Sequence, residues 1–312
     1  MRKLCLIFLM LLATLTLAAC GGGSAPNLRP PTETIPTQSP SAHARMQLVY
    51  QTQSGYLVPT WHSVPDDEGV TERIRRLAGE PNADFFAKTS LASVLPSSFD
   101  LSATQEGAMV TVDLTGNWQS LTATAERNMV RGVVSTALSC EGVSGVKLTF
   151  NGQPIQELKH ATKTSGVFRQ AQFNIDTSVF SLQGSPVTLY FMSDSLLVPV
   201  HRYLQNPGTL QVAMAQLCAG PSSSSKLSGA LPAGTVVRYA SLQDGIATID
   251  FSAPLLQSLQ ATDGGASALQ AICLTAQQFA SVQQVKLLVE GQPFEPEDFD
   301  LTATTFANEY EN

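Results

Sequence analysis

The sequence predicts an α+β protein, two tandem copies of a small β-β-α-β-β-α-β unit with two helices packed on one face of a mixed sheet. Three observations predict it. First, VKLTFNGQPI (Val146–Ile155) and VKLLVEGQPF (Val285–Phe294) share six of ten residues. Second, MVTVDLT (Met109–Thr115) returns as IATIDFS (Ile246–Ser252), Leu57-Val58-Pro59 as Leu197-Val198-Pro199, and Leu95-Pro96 as Leu231-Pro232. The offsets between copies are 139, 137, 140 and 136 residues, too constant for chance words. Third, apolar residues alternate with period two or recur at helical spacing in the same order in both copies.

Each element follows from local chemistry. Met46–Gln51 and Val187–Met192 alternate and open the units. Tyr56–Trp61 and Leu196–Tyr203 follow closely enough to close hairpins. Val70, Ile74, Leu77 and Ala78 fall at i, i+4, i+7 and i+8, as one helical face requires. Asp66, Asp67 and Glu68 place acids at that helix start, where the dipole favours them. Leu210, Ala213, Met214, Leu217 and Cys218 repeat the stripe, with Asn206-Pro207 read as N-cap and first helical residue. Gly79 and Gly220 supply the stops. Val236–Leu242 and Ile246–Phe251 flank Asp244-Gly245, a tight-turn pair. Phe99–Thr104 and Met109–Leu114 flank Glu106-Gly107 in the first copy. A longer helix carries Met129, Val130, Val133, Val134, Ala137 and Leu138. Its counterpart carries Ala268, Leu269, Ile272, Cys273, Ala276 and Phe279. The VKL strands end at Gly-Gln-Pro, where glycine permits positive φ and proline stops the ladder.

The two ends of the chain read differently. Arg2 and Lys3 precede an apolar run, Leu4–Leu17, too short for a stable span. It closes on Leu17-Ala18-Ala19-Cys20, the pattern of a bacterial lipobox, so residues 1–19 read as a lipoprotein signal peptide and Cys20 as the lipid attachment site. Lipid chains there would anchor the protein, because each buried methylene contributes about 0.8 kcal/mol. Residues 20–44, rich in Gly, Pro, Ser and Thr, read as a flexible tether. Domain 1 then spans 45–155 and domain 2 spans 187–294. Residues 156–186 form a linker with some strand character, and 295–312 an acidic, solvated tail.

Composition and motifs exclude much. The chain carries 18 Lys and Arg against 25 Asp and Glu, net −7. Cleavage before Cys20 removes two of those cations and no acid. Nothing basic enough for nucleic acid remains. The four histidines stand apart from carboxylates at metal-ligand spacing, and no nucleophile elbow, P-loop, Rossmann glycines or HExxH helix occurs. No cofactor or metal is expected, and no enzyme. Cys218 and Cys273 align with Ala78 and Val134, which favours buried core thiols, with a bridge between them left open. The Ser222–Ser225 run reads as a solvated loop, matching a polar loop near Pro81–Ala87.

Asp113 and Asp250 are the one duplicated carboxylate pair, read either as strand-end residues that bond backbone or as interaction or ligand-binding carboxylates. Trp61 and Trp118, without counterparts in the second copy, are candidate contact residues or core packing.

The lipobox at Leu17–Cys20, the segments MVTVDLTGNW and IATIDFSAPL, and the VKL…GQP strands together resemble the GerM family. These are sporulation and spore germination lipoproteins with tandem GerMN domains. The resemblance covers residues 46–155 and 188–294. It implies a fold similar to the ring-building motif, with an α-β-β-α-β core. It also implies a non-enzymatic lipoprotein on the outer face of the cytoplasmic membrane, in the intermembrane space during sporulation. There it would support a trans-envelope complex between mother cell and forespore. Implied partners are the membrane through Cys20, further copies of the chain, and other sporulation channel proteins. The alternative is a ligand-binding or regulatory lipoprotein, holding a wall fragment or solute between the two domains or modulating a sensor.

Overall fold

The computed structural model describes residues 43–79, 83–176, 184–204, 208–259, 264–302 and 305–310. The leader, Cys20 and the tether as far as residue 42 lie outside them, as do Asn206-Pro207 and Phe180.

The first repeat opens with β1 (His43–Gln51) and β2 (Leu57–Pro65), an antiparallel hairpin with Gln51 opposite Leu57. Helices α1 (Val70–Gly79) and α2 (Ala83–Thr89) follow, then the short β3 (Ala92–Ser93), which pairs with the end of β1. Strands β4 (Asp100–Glu106) and β5 (Met109–Thr115) form a hairpin, and β6 (Gly145–Phe150) adds to β5 in parallel. Between β5 and β6 runs α3 (Ala123–Leu138), whose N-cap Thr122 accepts from Ala125 N. A parallel neighbour needs a crossover of this length, which is why the long helix sits there.

The second repeat matches it. Strands β7 (Ser185–Ser193) and β8 (Leu196–Leu204) form its hairpin. Helix α4 (Leu210–Ala219) precedes β9 (Val237–Gln243) and β10 (Ile246–Phe251). Helices α5 (Leu255–Leu259) and α6 (Gly264–Gln277) cross over to β11 (Gln284–Val289), which runs parallel to β10. Strand β12 (Gln292–Phe294) turns back on β11, and β13 (Glu309–Tyr310) ends the described chain. The expected β-β-α-β-β-α-β order runs through both mixed α+β repeats, with α2 and β3 added in the first and α5 and β12 in the second.

Each unit divides its strands between two sheets. The leading hairpin pairs with none of the later strands of its own mixed sheet. A helix takes the place of a strand partner. Val49 N donates to Thr136 Oγ1 at 3.1 Å, and Ser139 Oγ donates to Gln47 O at 3.2 Å. The polar stripe of α3 thus satisfies the open edge of β1, which would otherwise be a row of unpaired groups. In the second repeat Gln278, just beyond α6, does the same for β7, its carboxamide meeting Thr188 N at 2.8 Å and Thr188 O at 3.0 Å. Apolar positions of both units merge into one buried cluster, with Val133, Val134, Ala268 and Ile272 among its fully enclosed members.

Three local expectations are corrected. The polar loop read near Pro81–Ala87 runs instead into α2 from Ala83 onward, because Phe85 drops into the core against Tyr50 and is 1% exposed. The cap of α4 is Thr209, whose side chain accepts from Val212 N, rather than Asn206. The tail, read as solvated from its acids, folds back: Ala307 is buried and β13 pairs in parallel with β2. Ser222–Ser225 stays in a turn closed by Ser225 N donating to Ser222 O. Among the described residues no helix is long and apolar enough to cross a membrane.

Candidate functional site

Strands β2 and β8 are equivalent, and each presents an outer edge to the other repeat. Each carries a proline, Pro59 and Pro199, which offers a carbonyl but no N–H. Two asparagines supply the missing complement. Asn174 accepts from Leu57 N at 2.8 Å and donates to Leu57 O at 2.6 Å and Pro199 O at 2.8 Å. Asn308 accepts from Leu197 N at 2.9 Å and donates to Leu197 O at 2.7 Å and Pro59 O at 2.9 Å. Leu57 corresponds to Leu197 and Pro59 to Pro199, so the second set of bonds is the first with the repeats exchanged. Each carboxamide stands in for a peptide group of an added strand. Both asparagines adopt φ near +53°, a region Asn tolerates better than most residues.

The segments that deliver them are equivalent too. After the first repeat, Phe168 pairs with Val146 through two backbone bonds of 2.8 Å. Asn174 O then accepts from His201 N on β8, and Asp176 N donates to His201 O. After the second repeat, Leu301 O accepts from Val285 N, and Asn308 O accepts from Trp61 N on β2. Linker and tail are therefore two copies of one strap, each closing onto the hairpin of the opposite repeat. This reciprocity is the signature of an isologous interface, here made within one chain.

Side chains fix each strap. Phe306 lies 4.7 Å from Trp61 by ring centroids, and the Arg45 guanidinium sits 4.6 Å from its ring. Arg45 also pairs with Glu309. Tyr310 meets Phe85 edge-on at 4.8 Å. On the linker strap Asp176 pairs with Arg202 at 2.8 Å, both nearly enclosed, with side-chain exposures of 5% and 7%. Arg202 reaches on to Gln216 Oε1 and Gly220 O, closing the C-terminus of α4, where cations suit the dipole. Upstream, the buried Glu126 of α3 accepts from His160 N and Thr162 N, clasping residues 160–162.

The singled-out carboxylates lie elsewhere, at the ends of the mixed sheets. Asp113 Oδ1 accepts from Thr149 Oγ1 at 2.6 Å and Gly152 N at 2.8 Å, and Oδ2 from Thr115 Oγ1 at 3.2 Å. Asp250 Oδ1 accepts from Gly291 N at 2.9 Å, with Arg238 Nε 3.7 Å from Oδ2. Each aspartate thus holds the Gly-Gln-Pro turn that follows the next strand, which explains why the two words recur together. Trp61 belongs to the seam. Trp118 packs on Phe150 at 6.5 Å and does not. Cys20 lies outside the described residues.

Cys140, Cys218 and Cys273 are free thiols. Burial pushes Cys140 and Cys218 up to about 11 and Cys273 to about 12, so they are poor nucleophiles at neutral pH. Burial lowers the pKa of His201, opposed by a backbone hydrogen bond with Phe173 and aided more weakly by the Arg131 charge. Among the described residues no cluster of three His, Cys, Asp or Glu is placed to hold a metal. Sequence reasoning missed Asn174 and Asn308. Their one signal is an offset of 134 residues, close to that of the repeat, between otherwise dissimilar words, FNID and ANEY.

A family model described as Germane, sporulation and spore germination, matches residues 45–156 and 188–295. Among solved structures, the tandem GerMN domains of the sporulation protein GerM from Bacillus subtilis match at a TM-score of 0.66 and 20% identity. That match covers 85% of this chain and 99% of the other. The first GerMN domain of the same protein matches at a TM-score of 0.30 and 21% identity, over 39% of this chain and 97% of the other. No curated protein matches.

Proposed function

We propose, from the premise that the chain belongs to the Germane family of sporulation and spore germination proteins, that it is a non-enzymatic structural lipoprotein of a trans-envelope complex. In this reading Cys20 carries the lipid, and residues 21–44 tether the folded body to the outer face of the cytoplasmic membrane. In a sporulating cell that face borders the space between mother cell and forespore. The partners are further copies of the chain or other channel proteins of that complex.

One observation carries the reading. The duplicated polar residues are spent on joining parts of the fold: the aspartates hold turns and the asparagines splice the two repeats. Six hydrogen bonds of the two carboxamides and a buried ion pair make the seam a stiff joint, which suits a component that transmits position between neighbours. The mixed sheets end on β4 and β9, and on β9 the Ala240 amide is already taken by Gln211 Oε1 of α4, so the surface offered to a neighbour is the side chains around β9. Tyr239 on β9 is 53% exposed and Val236, just before that strand, 58%, apolar area of the kind that interfaces use.

Two measurements test this. Cys20→Ser is expected to move the protein from the membrane fraction to the soluble exported fraction. A photo-crosslinking residue at Tyr239 is expected to yield adducts of higher mass in sporulating cells and few in vegetative ones. Adducts absent at both stages, with wild-type protein present, would refute the assembly role.

A further inference from the structure

Beside the seam, a half-open cleft of about 370 Å³ is lined by the Ser54–Tyr56 turn, by Arg127 and Arg131 of α3, and by Asn174 and Ile175 of the linker strap. We propose that this cleft binds a phosphate group, gripped by the two guanidinium forks of Arg127 and Arg131.

The charge arrangement motivates it. The two arginines are four apart on one helix, so their side chains are neighbours and repel. Among the described residues neither meets a carboxylate. Arg127 makes one long hydrogen bond, 3.4 Å to Thr124 Oγ1, and Arg131 makes none among the described residues. The other described arginines are engaged differently. Arg45, Arg75, Arg76, Arg202 and Arg238 pair with acids, while Arg73 and Arg169 donate to backbone carbonyls. In a chain with seven more acids than bases, an uncompensated arginine pair is out of keeping with the surface. Burial, and then the charge of Arg127, lowers the pKa of Arg131.

The surroundings are built rather than incidental. Asn128, 6% exposed, is fixed by Gln51 Oε1 at 2.8 Å and Gly55 O at 3.0 Å, which holds the turn that forms one wall. Asn174, on the facing wall, is held by its three bonds. The cleft is also particular to the first repeat. At an offset of 139 the arginines become Ala266 and Gln270, so the fold does not require them.

Two planar forks offer more donors than one carboxylate can accept, and their summed charge matches a phosphate dianion. A soluble monoester and a lipid headgroup both present such a phosphate, and two arms separate these sources. In the first, inorganic phosphate is titrated into the intact protein by calorimetry at fixed ionic strength, with acetate as control. Saturable binding is expected, weakened at least about tenfold in Arg131→Gln and in Arg127→Gln and unchanged in Arg75→Gln. Gln270 already occupies the Arg131 position in repeat two, so glutamine is expected to leave the unfolding midpoint in place. In the second, flotation with phosphatidic acid and phosphatidylcholine vesicles uses protein bearing Cys20→Ser. Arginine-dependent capture identifies a lipid headgroup as the source, and phosphate binding without capture identifies a solute. No saturable binding in either arm, or equal binding by the double Arg127→Gln/Arg131→Gln variant, overturns the proposal.

Discussion

Replacing Asn308 by alanine removes one of the two splices while leaving both repeats intact. Three hydrogen bonds are lost, to Leu197 N, Leu197 O and Pro59 O. At about 1 kcal/mol net each, and with half-buried groups recovering some water, the loss is about 2–3 kcal/mol. Alanine at φ +54° adds about 1 kcal/mol, because its Cβ crowds the carbonyl in the left-handed region. Asn308→Ala is therefore expected to cost about 3–4 kcal/mol of seam stability and Asn308→Gly about 2–3 kcal/mol, since glycine takes that backbone freely. The assay is urea unfolding followed by tryptophan fluorescence in a Trp118→Phe background, which leaves Trp61 as the reporter, because Phe306 of the tail strap covers that indole. In the alanine variant the Trp61 transition should precede loss of far-ultraviolet circular dichroism, as a strap at the chain end opens locally. Hydrogen exchange at Trp61 N and Leu197 N should quicken, while core amides such as Ile249 N stay slow. A cost below about 0.5 kcal/mol, the level of an ordinary surface change, would refute the splice as a stabilising joint. So would equal costs for alanine and glycine.

The other predictions concern the sheet ends, the linker ion pair and the thiols. Asp113→Ala is expected to cost about 2 kcal/mol and Asp250→Ala about 1 kcal/mol in urea midpoints, because the first carboxylate accepts three hydrogen bonds and the second one plus a loose ion pair; the reverse order would refute the turn-holding role. Asp176→Ala leaves a buried guanidinium uncompensated and should cost about 3–5 kcal/mol by thermal unfolding, whereas Asp176→Leu with Arg202→Met should recover most of it. The cysteine pKa values lie above the ordinary 9.0 in the folded protein, so their contribution to stability is complete below pH 9. It falls as pH rises from about 9 through 11–12, because there the unfolded thiols ionise first; replacing all three by alanine or valine should flatten that decline in urea midpoints. At pH 8 a thiol reagent should label the native protein slowly and the urea-unfolded protein at once.

The repeat, the element order and most boundaries were legible because they depend on periodicity and turn chemistry, which are local. Ile246–Phe251 alternates in burial along β10 as its pattern requires. The division into separate sheets was not legible. It depends on polar residues of α3 and its C-cap, Ser135, Thr136 and Ser139, which in sequence only dilute an apolar stripe. In the fold they face the edge of β1 and replace a strand. The tail misled for a similar reason. Its acids are placed to be solvated or paired, as Glu309 is with Arg45, while the residues that fix it are single ones, Phe306, Asn308 and Tyr310. The duplicated aspartates were visible as a pair, but the turns they hold lie some forty residues away, beyond any local pattern.

The straps change what the unit of duplication is. If only the VKL-terminated domains had been copied, linker and tail would have no reason to make the same bonds to equivalent residues. They do make them, through Asn174 and Asn308, although the words around those residues share nothing else. The repeat is therefore a domain plus a strap, and a chain of two repeats is the smallest that closes both straps internally. Positions obeying this exchange symmetry are accounted for by the joint itself. Positions that break it need another cause, and several gather in the first repeat: Glu126 against Gly265, Arg127 against Ala266, Arg131 against Gln270. Glu126 has one, since it clasps the linker. The arginines gain no such structural partner among the described residues, and a symmetric scaffold has no use for an unpaired cationic pair. The break in symmetry is thus what separates a binding role from an architectural one, and it lies in the cleft beside the seam.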